Sequence, residues 1–142
     1  MTDVATRPIE ILLVEDNPSD LELTLRAFQV HHLTNTIHVA RDGEEALQFL
    51  FGGRILHTPD LVLLDLRLPK VSGKEVLARI RGESRTAAVP VIVFTSSTED
   101  RDFRECMALG ANSYIVKPTD FGQFALAVRR MGLQWTLLAP VH

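Results

Sequence analysis

Short apolar runs recur along the chain and alternate with segments in which apolar residues repeat at helical spacing. Each run has the length of a strand and is mostly continuous, which is typical of parallel strands covered on both faces. The five predicted strands are Ile9 to Val14, Ile37 to Ala40, Leu61 to Leu64, Val91 to Phe94 and Tyr114 to Val116. Strands that alternate with five helical segments predict a single α/β domain with a doubly wound, five-stranded parallel sheet.

Residues with helix-capping character stand at the predicted helix starts. The first helix opens at Asn17-Pro18, which combines a good N-cap with proline at the first helical position. Asp42 and Ser72 begin the second and third helices, each with a glutamate three residues later, as in a capping box. The fourth helix is predicted to begin within Ser97 to Asp100 and to stop at Gly110, and the fifth to run from Thr119-Asp120 to about Trp135.

The length and charge of the chain limit what it can do. With 142 residues, the chain is expected to have a flexible N-terminal lead over 1–8, one domain over 9–135 and a tail over 136–142, with no room for a second domain of usual size. Fifteen Lys and Arg against eighteen Asp and Glu leave no basic excess, so we expect no DNA partner. No apolar run approaches the ~20 residues of a membrane span, and the first eight residues lack a signal-peptide core. A cytoplasmic protein without membrane association is therefore expected.

Polar residues stand directly after four of the apolar runs. Glu15 and Asp16 follow the first strand, Asp65 the third, Thr95 the fourth and Lys117 the fifth. In a doubly wound sheet of order 2-1-3-4-5 the first and third strands are neighbours, and ligands bind at the carboxyl ends near this switch point. Three carboxylates and a lysine are therefore expected to converge there.

Carboxylates this close repel one another unless a cation neutralises them. Three carboxylates and one lysine leave a charge of −2, which a divalent ion brings to zero, and an all-oxygen site favours Mg²⁺. Asp65 is then the candidate nucleophile, because a carboxylate beside a metal and an ammonium group can accept a phosphoryl group. Thr95 is expected to donate a hydrogen bond to that group.

Four segments carry these residues in order: ILLVEDN, LVLLDLRLPKVSG, PVIVFTSS and LGANSYIVKP. Together they resemble the CheY-like receiver domain of a two-component response regulator, from about Ile9 to about Trp135. The resemblance implies that a sensor histidine kinase phosphorylates Asp65. It implies a protein that is no conventional enzyme, with catalysis limited to self-phosphorylation and slow self-dephosphorylation.

The resemblance also assigns roles to the surrounding residues. It implies that Mg²⁺ is held by Glu15, Asp16, Asp65 and the backbone carbonyl of Arg67. It places Thr95 and Lys117 on the phosphoryl group, with Thr95 and Tyr114 as the switch residues. It further implies a cis peptide at Lys117-Pro118, which would aim the lysine into the site.

A narrower resemblance lies in VEDNPSDLELTLRAF, GGRILHTPDLVLLDL and the fifth helix. These segments are similar to single-domain response regulators that partner bacterial phytochromes, which implies a bacteriophytochrome as the kinase. The downstream partner is expected to be either an unknown protein that this domain contacts or a phosphotransfer protein that receives its phosphoryl group. Arg67 departs from the Asn common in that group two residues after the phosphorylated Asp. Arg67 and Ser97 are therefore predicted to tune the phosphorylated state.

Other interpretations remain open for several residues. Tyr114 could be a half-buried strand aromatic rather than a switch. The apolar stripe from Phe121 to Trp135 is typical of a core, but with the fourth helix and fifth strand it could form a homodimer face. Rival functions on this fold are an aspartyl-phosphate phosphohydrolase and an interaction module that is not phosphorylated. Such hydrolases place a second Asp, which acts as a general acid, two residues after the nucleophile. In this chain that position is Arg67, which cannot donate a proton.

Overall fold

The computed structural model describes residues 6–30, 36–53, 58–134 and 138–140. Seven strands and five helices lie within these ranges. In chain order they are β1 (Thr6–Pro8), β2 (Ile11–Val14), α1 (Pro18–Val30), β3 (Ile37–Ala40), α2 (Gly43–Phe51), β4 (Leu61–Leu64), α3 (Gly73–Gly82), β5 (Val91–Thr95), α4 (Asp100–Ala108), β6 (Ser113–Val116), α5 (Phe121–Gln134) and β7 (Leu138–Pro140).

The main sheet has five parallel strands in the order β3-β2-β4-β5-β6. Counted among these five, this is the predicted order 2-1-3-4-5, so the doubly wound α/β fold is confirmed. Val14 is in register with Ala40 on one side and Leu64 on the other, so the carboxyl ends of three strands are level. The residues that follow these strands therefore start from one edge of the sheet.

The helices cover both faces of the sheet and bury two apolar layers. Helices α1 and α5 pack on one face, and α2, α3 and α4 on the other. Successive strand residues alternate between the layers: Leu12 and Val14 join one, Ile11 and Leu13 the other. Because both faces are buried, the strands read as continuous apolar runs rather than as alternating patterns.

The capping predictions are confirmed at three helices. The side chain of Asp42 accepts the N–H of Glu45 at 2.7 Å, and the hydroxyl of Ser72 accepts the N–H of Glu75 at 3.2 Å. At α1, Asn17 Oδ1 accepts a backbone N–H from the first turn at 3.1 Å. These bonds satisfy donors that the first turn of a helix leaves without intrahelical partners.

The stripe on α5 contributes to the core. Phe124 and Val128 are buried, and the ring of Phe124 meets the ring of Phe94 edge-on at 5.1 Å. The side chain of Met131 and the whole of Trp135 lie outside the described residues. The core interpretation is therefore confirmed for the middle of the helix.

A second, small sheet joins the two ends of the described chain. Strands β1 and β7 pair antiparallel, with Arg7 opposite Ala139. A lead and a tail were expected there, and neither strand was predicted, because each is only three residues long and pairs with the opposite end of the chain. Residues 1–5, 135–137 and 141–142 lie outside the described ranges. None of the described helices has the length and hydrophobicity needed to cross a bilayer.

Candidate functional site

The backbone ladder of the sheet holds three predicted site residues at its carboxyl edge. Glu15 follows β2 and donates its N–H to the last carbonyl of β3 at 3.0 Å. Asp65 follows β4 and donates its N–H to the last carbonyl of β2 at 3.1 Å. Lys117 follows β6 and donates its N–H to the carbonyl of Thr95 at 2.7 Å. Each side chain therefore leaves a fixed backbone position.

The predicted carboxylate cluster forms. Glu15, Asp16 and Asp65 each offer an oxygen, and these oxygens lie within 4.8 Å of one another. Glu15 and Asp65 are buried, whereas Asp16 is exposed, so the cluster opens to solvent on the Asp16 side. Three carboxylates that converge at an accessible position are a donor set suited to a hard divalent cation.

The ammonium group of Lys117 lies inside this cluster. Its side chain is only 4% exposed, and Nζ donates to Asp65 Oδ2 at 2.9 Å and to Asp20 Oδ2 at 3.0 Å. It also donates to Glu15 Oε1. An ammonium group has three N–H donors, so each donor has its own carboxylate. Three carboxylates, those of Glu15, Asp20 and Asp65, therefore contact one ammonium group.

This crowding changes the ionisation of the buried groups. Burial raises the pKa of Glu15 to about 7, against the lowering effect of Lys117. Burial alone would also raise the pKa of Asp65, but the charge and hydrogen bond of Lys117 outweigh it and hold that pKa below its usual value. Burial works to lower the pKa of Lys117, yet its bonds to the carboxylates raise it. The site thus keeps an ionised Asp65 beside a charged Lys117.

Thr95, Ser97 and Tyr114 form a hydrogen-bonded chain at the next strand end. Thr95 is fully buried at the end of β5, and its Oγ1 accepts the N–H of Ser97 at 3.3 Å. The hydroxyl of Tyr114 donates to the carbonyl of Ser97 at 3.0 Å. The ring of Phe103 from α4 meets the Tyr114 ring edge-on at 5.5 Å. Tyr114 therefore contacts the segment after Thr95 and also α4.

A polar network links the same segment to α3 and α4. Ser97 Oγ donates to Asp102 Oδ2 at 2.5 Å, and Lys74 Nζ donates to Asp102 Oδ1 and Glu105 Oε2, both at 2.6 Å. Hydrogen bonds from Lys74 and Ser97 lower the pKa of Asp102, and the charge of the exposed Arg67 adds to this effect. Asp102 thus connects Ser97 to Lys74 and lies within electrostatic range of Arg67.

A close backbone approach fixes the loop after Asp65. Asp65 Oδ1 accepts the N–H of Leu66 at 2.7 Å, and the carbonyl of Leu66 accepts the N–H of Gly73 at 2.9 Å. A Cβ atom at Gly73 would lie 2.3 Å from the carbonyl oxygen of Asp65. Only glycine fits this contact between the start of α3 and the end of β4.

The profile of the response regulator receiver domain matches residues 11–129 of the chain. The chain belongs to this family. Receiver domains are the phosphoacceptor switches of two-component systems, and they interact with sensor histidine kinases. The predicted family and fold are therefore confirmed.

Relatives match this receiver domain over most of their own length. The probable methanogenesis regulatory protein FilR2 of Methanothrix harundinacea is 44% identical over 135 residues, which cover 92% of this chain and 86% of FilR2. The phosphorylated cyanobacterial phytochrome response regulator RcpA is 32% identical, with a TM-score of 0.83, over 92% of this chain and 95% of RcpA. The Mn²⁺-bound form of Rcp1 from Synechocystis is 33% identical, with a TM-score of 0.82, over 90% of this chain and 94% of Rcp1.

The predicted cis peptide at Lys117-Pro118 is wrong. The described residues of this receiver domain contain no cis peptide bond, so this bond is trans. The trans form is the lower in energy even before proline. The side chain of Lys117 reaches Asp65 from this backbone, so the lysine enters the site without the cis bond.

The sequence patterns did not predict a role for Asp20, Lys74 or Asp102. One signal pointed to Asp20: Asn17 caps α1, which places Asp20 in the first helical turn at the carboxyl edge of the sheet. Lys74 and Asp102 belong to different helices, and their contact depends on how α3 packs beside α4. Nothing in the local sequence around either residue indicates that packing.

Proposed function

We propose that this receiver domain accepts a phosphoryl group on Asp65 from a sensor histidine kinase. The observation that carries the proposal is the 2.9 Å contact between Lys117 Nζ and Asp65 Oδ2 inside the carboxylate cluster. It keeps the nucleophile ionised and provides a fixed cation for the incoming phosphoryl oxygens. A carboxylate oxygen attacks the phosphorus of a phosphohistidine, the P–N bond breaks, and the imidazole leaves with the electron pair.

We propose Mg²⁺ as the cation of this site, held by Glu15, Asp16, Asp65 and the backbone carbonyl of Arg67. The convergence of three carboxylate oxygens within 4.8 Å supports it, as does the Mn²⁺-bound form of the similar Rcp1. When bound, such an ion neutralises charge that develops on the transferred phosphoryl group. Lys117 compensates part of the negative charge of the carboxylates, and a divalent cation compensates more.

Binding of a divalent cation is expected to strengthen as the pH rises through about 7. Burial raises the pKa of Glu15 to about 7, so below this pH a proton competes with the cation for its carboxylate. For one such proton, the ionised fraction rises about tenfold between pH 6 and pH 8, and affinity rises with it. Isothermal titration with Mg²⁺ at the two pH values measures this. In Glu15→Gln we expect weaker binding and little pH dependence, and equal wild-type affinities at both pH values would contradict the assignment.

We propose that Thr95 contacts the phosphoryl group and that Tyr114 relays its presence. Thr95 Oγ1 and the Tyr114 hydroxyl both bond to Ser97, at 3.3 and 3.0 Å, so a shift of the Thr95 hydroxyl disturbs a segment that Tyr114 holds. Ser97 donates a hydrogen bond to Asp102 of α4, and the charge of Arg67 contributes to lowering the pKa of Asp102. These contacts with α4 support the proposed role of both residues in tuning the phosphorylated state.

The partner kinase is proposed to be a bacteriophytochrome. The similar protein RcpA is a phytochrome response regulator, which supports this choice. We further propose that the reaction takes place in the cytoplasm, where ATP is available to such a kinase. The phosphorylated domain then passes its signal to a downstream protein, by contact or by onward transfer of the phosphoryl group.

Phosphorylation of Asp65 is tested with Mg²⁺ and a small acyl phosphate, followed by intact-protein mass spectrometry. We expect one added phosphate on the wild type and none on Asp65→Asn. Asp100→Asn is a matched control, because Asp100 lies on the surface of α4 and pairs only with Arg104 among the described contacts. A wild type left unmodified both by the acyl phosphate and by its cognate sensor histidine kinase would refute the proposed function.

A homodimer through α4, β6 and α5 is also proposed. Four large apolar side chains are exposed on these elements: Phe103, Met107, Val116 and Leu126. Strand β6 is an edge of the main sheet, so the elements around it are accessible to a second copy. A monomeric mass in solution at micromolar concentration, with and without a phosphoryl mimic, would exclude this dimer.

A further inference from the structure

Lys117 has one carboxylate partner that stands apart from the cluster assigned to the metal. Asp20 Oδ2 accepts a hydrogen bond from Lys117 Nζ at 3.0 Å, although the two residues are 97 positions apart. We propose that Asp20 is a positioning residue for phosphoryl transfer, which holds the Lys117 ammonium group beside Asp65. This inference rests on the proposed function and extends it to a residue outside the nucleophile, the metal ligands and the switch pair.

The backbone of Asp20 is fixed on both sides. Its N–H donates to Asn17 Oδ1 at 3.1 Å, and its carbonyl accepts the hydroxyl of the buried Thr24 at 2.9 Å. Its side chain is 28% exposed, so it lies at the rim of the site rather than at its floor. A short side chain on a capped first turn has few conformations to lose, so the carboxylate acts as a rigid acceptor for the lysine.

The position of Nζ satisfies Asp20 and Asp65 at the same time. The distances to the two carboxylates are 3.0 and 2.9 Å, so the bond to Asp20 does not draw the ammonium group away from the nucleophile. Glu15 and Asp65 belong to the cluster that a divalent cation would occupy, and a cation there competes with Lys117 for their oxygens. Asp20 lies outside that cluster and remains available to the lysine.

Asp20 also carries a negative charge close to the nucleophile. Whereas positioning of Lys117 would speed phosphoryl transfer, this charge would slow it. An anionic phosphodonor is repelled by each additional carboxylate at the entrance. If charge alone mattered, removing it from Asp20 would accelerate phosphorylation. If positioning dominates, the same change slows the chemical step even though the donor binds no less tightly. The two roles therefore predict opposite signs for one substitution.

The test compares Asp20→Asn with Glu22→Gln in phosphorylation by a small acyl phosphate at saturating Mg²⁺. Glu22 is exposed on the same helix, so this control removes an equal charge without touching the lysine. For Asp20→Asn we expect a maximal rate about tenfold lower, with an unchanged or lower half-saturating donor concentration. Glu22→Gln should match the wild type, and Asp20→Glu should recover part of the rate. A maximal rate for Asp20→Asn equal to or above that of the wild type would overturn the positioning role.

A second readout does not depend on phosphorylation. In ¹⁵N NMR with Mg²⁺ present, a held Lys117 ammonium group should give a slowly exchanging signal in the wild type, which Asp20→Asn should broaden or lose. An unchanged signal would also overturn the proposal. If neither the wild type nor any variant is phosphorylated but this NMR difference is still seen, the proposed function is refuted, whereas the contact by which Asp20 holds Lys117 is supported. Urea unfolding of Asp20→Asn and Asp20→Glu verifies that both variants are folded.

Discussion

Replacing Lys117 with methionine is expected to lower the free energy of unfolding by about 3–5 kcal/mol at pH 8 without divalent cations. Among the described residues, Lys117 supplies the ammonium group that contacts the buried carboxylates of Glu15 and Asp65, and its removal leaves them without an opposite charge. Urea unfolding followed by circular dichroism measures the effect. Lys70→Met is the control, because the Lys70 side chain is 60% exposed and its ion pairs lie at the surface.

The loss of unfolding free energy in Lys117→Met should become smaller as the pH falls toward 5. Without Lys117, burial and mutual repulsion hold the pKa values of Glu15 and Asp65 above those of the unfolded chain. A carboxyl group with a raised pKa in the folded state destabilises the fold above that pKa, and the penalty fades as the pH falls toward the unfolded value. Lys117 lowers the pKa of Glu15, which is about 7 in its presence, so in the variant this pKa lies above 7. The loss relative to the wild type should therefore begin to shrink above pH 7 as Glu15 is protonated, and shrink further toward pH 5 as Asp65 is protonated. Equal losses at pH 8 and pH 5 would contradict this account.

Gly73→Ala is expected to lower the free energy of unfolding by about 3 kcal/mol and to weaken divalent-cation binding. A Cβ atom there would lie 2.3 Å from the carbonyl oxygen of Asp65 and 2.6 Å from the Cα of Leu66. Both are backbone atoms, so the clash is relieved only by moving the segment that carries the nucleophile. Urea unfolding and isothermal titration with Mg²⁺ measure the two effects.

Gly82→Ala provides the matched control for this substitution. Gly82 is the last residue of the same helix, and a Cβ there meets no heavy atom within 4 Å among the described residues. Alanine should therefore leave stability unchanged or raise it by up to about 1 kcal/mol. If Gly73→Ala behaved like Gly82→Ala, the close approach to Asp65 would not constrain the loop.

The sheet and the main site residues could be predicted because their signals are local. Each central strand is a continuous apolar run, and a polar residue such as Glu15 or Asp65 marks its end. Parallel pairing then brings those ends together without any knowledge of side-chain packing. For the same reason the position of Lys117 was predictable from the end of β6 alone.

The features that escaped prediction depend on distant parts of the chain. Asp20 meets Lys117 only because α1 packs on the same face of the sheet as α5, and Asp102 meets Lys74 only because α3 lies beside α4. The pairing of β1 with β7 joins two three-residue segments that are too short to be recognised as strands from the sequence. The expected cis bond came from resemblance to a family, and the backbone of this chain reaches the same site in the trans form.

Strand β6 is both an outer strand of the main sheet and the strand that leads directly into Lys117. A protein that binds to this edge therefore contacts the backbone directly before Lys117, whose ammonium group contacts Asp65. Thermodynamic linkage makes this coupling reciprocal. If phosphorylation raises the affinity for such a partner by some factor, binding of the partner raises the equilibrium constant for phosphorylation by the same factor. The amount of downstream target in a cell would then help to set how much of this receiver domain is phosphorylated, so the output would also act as an input.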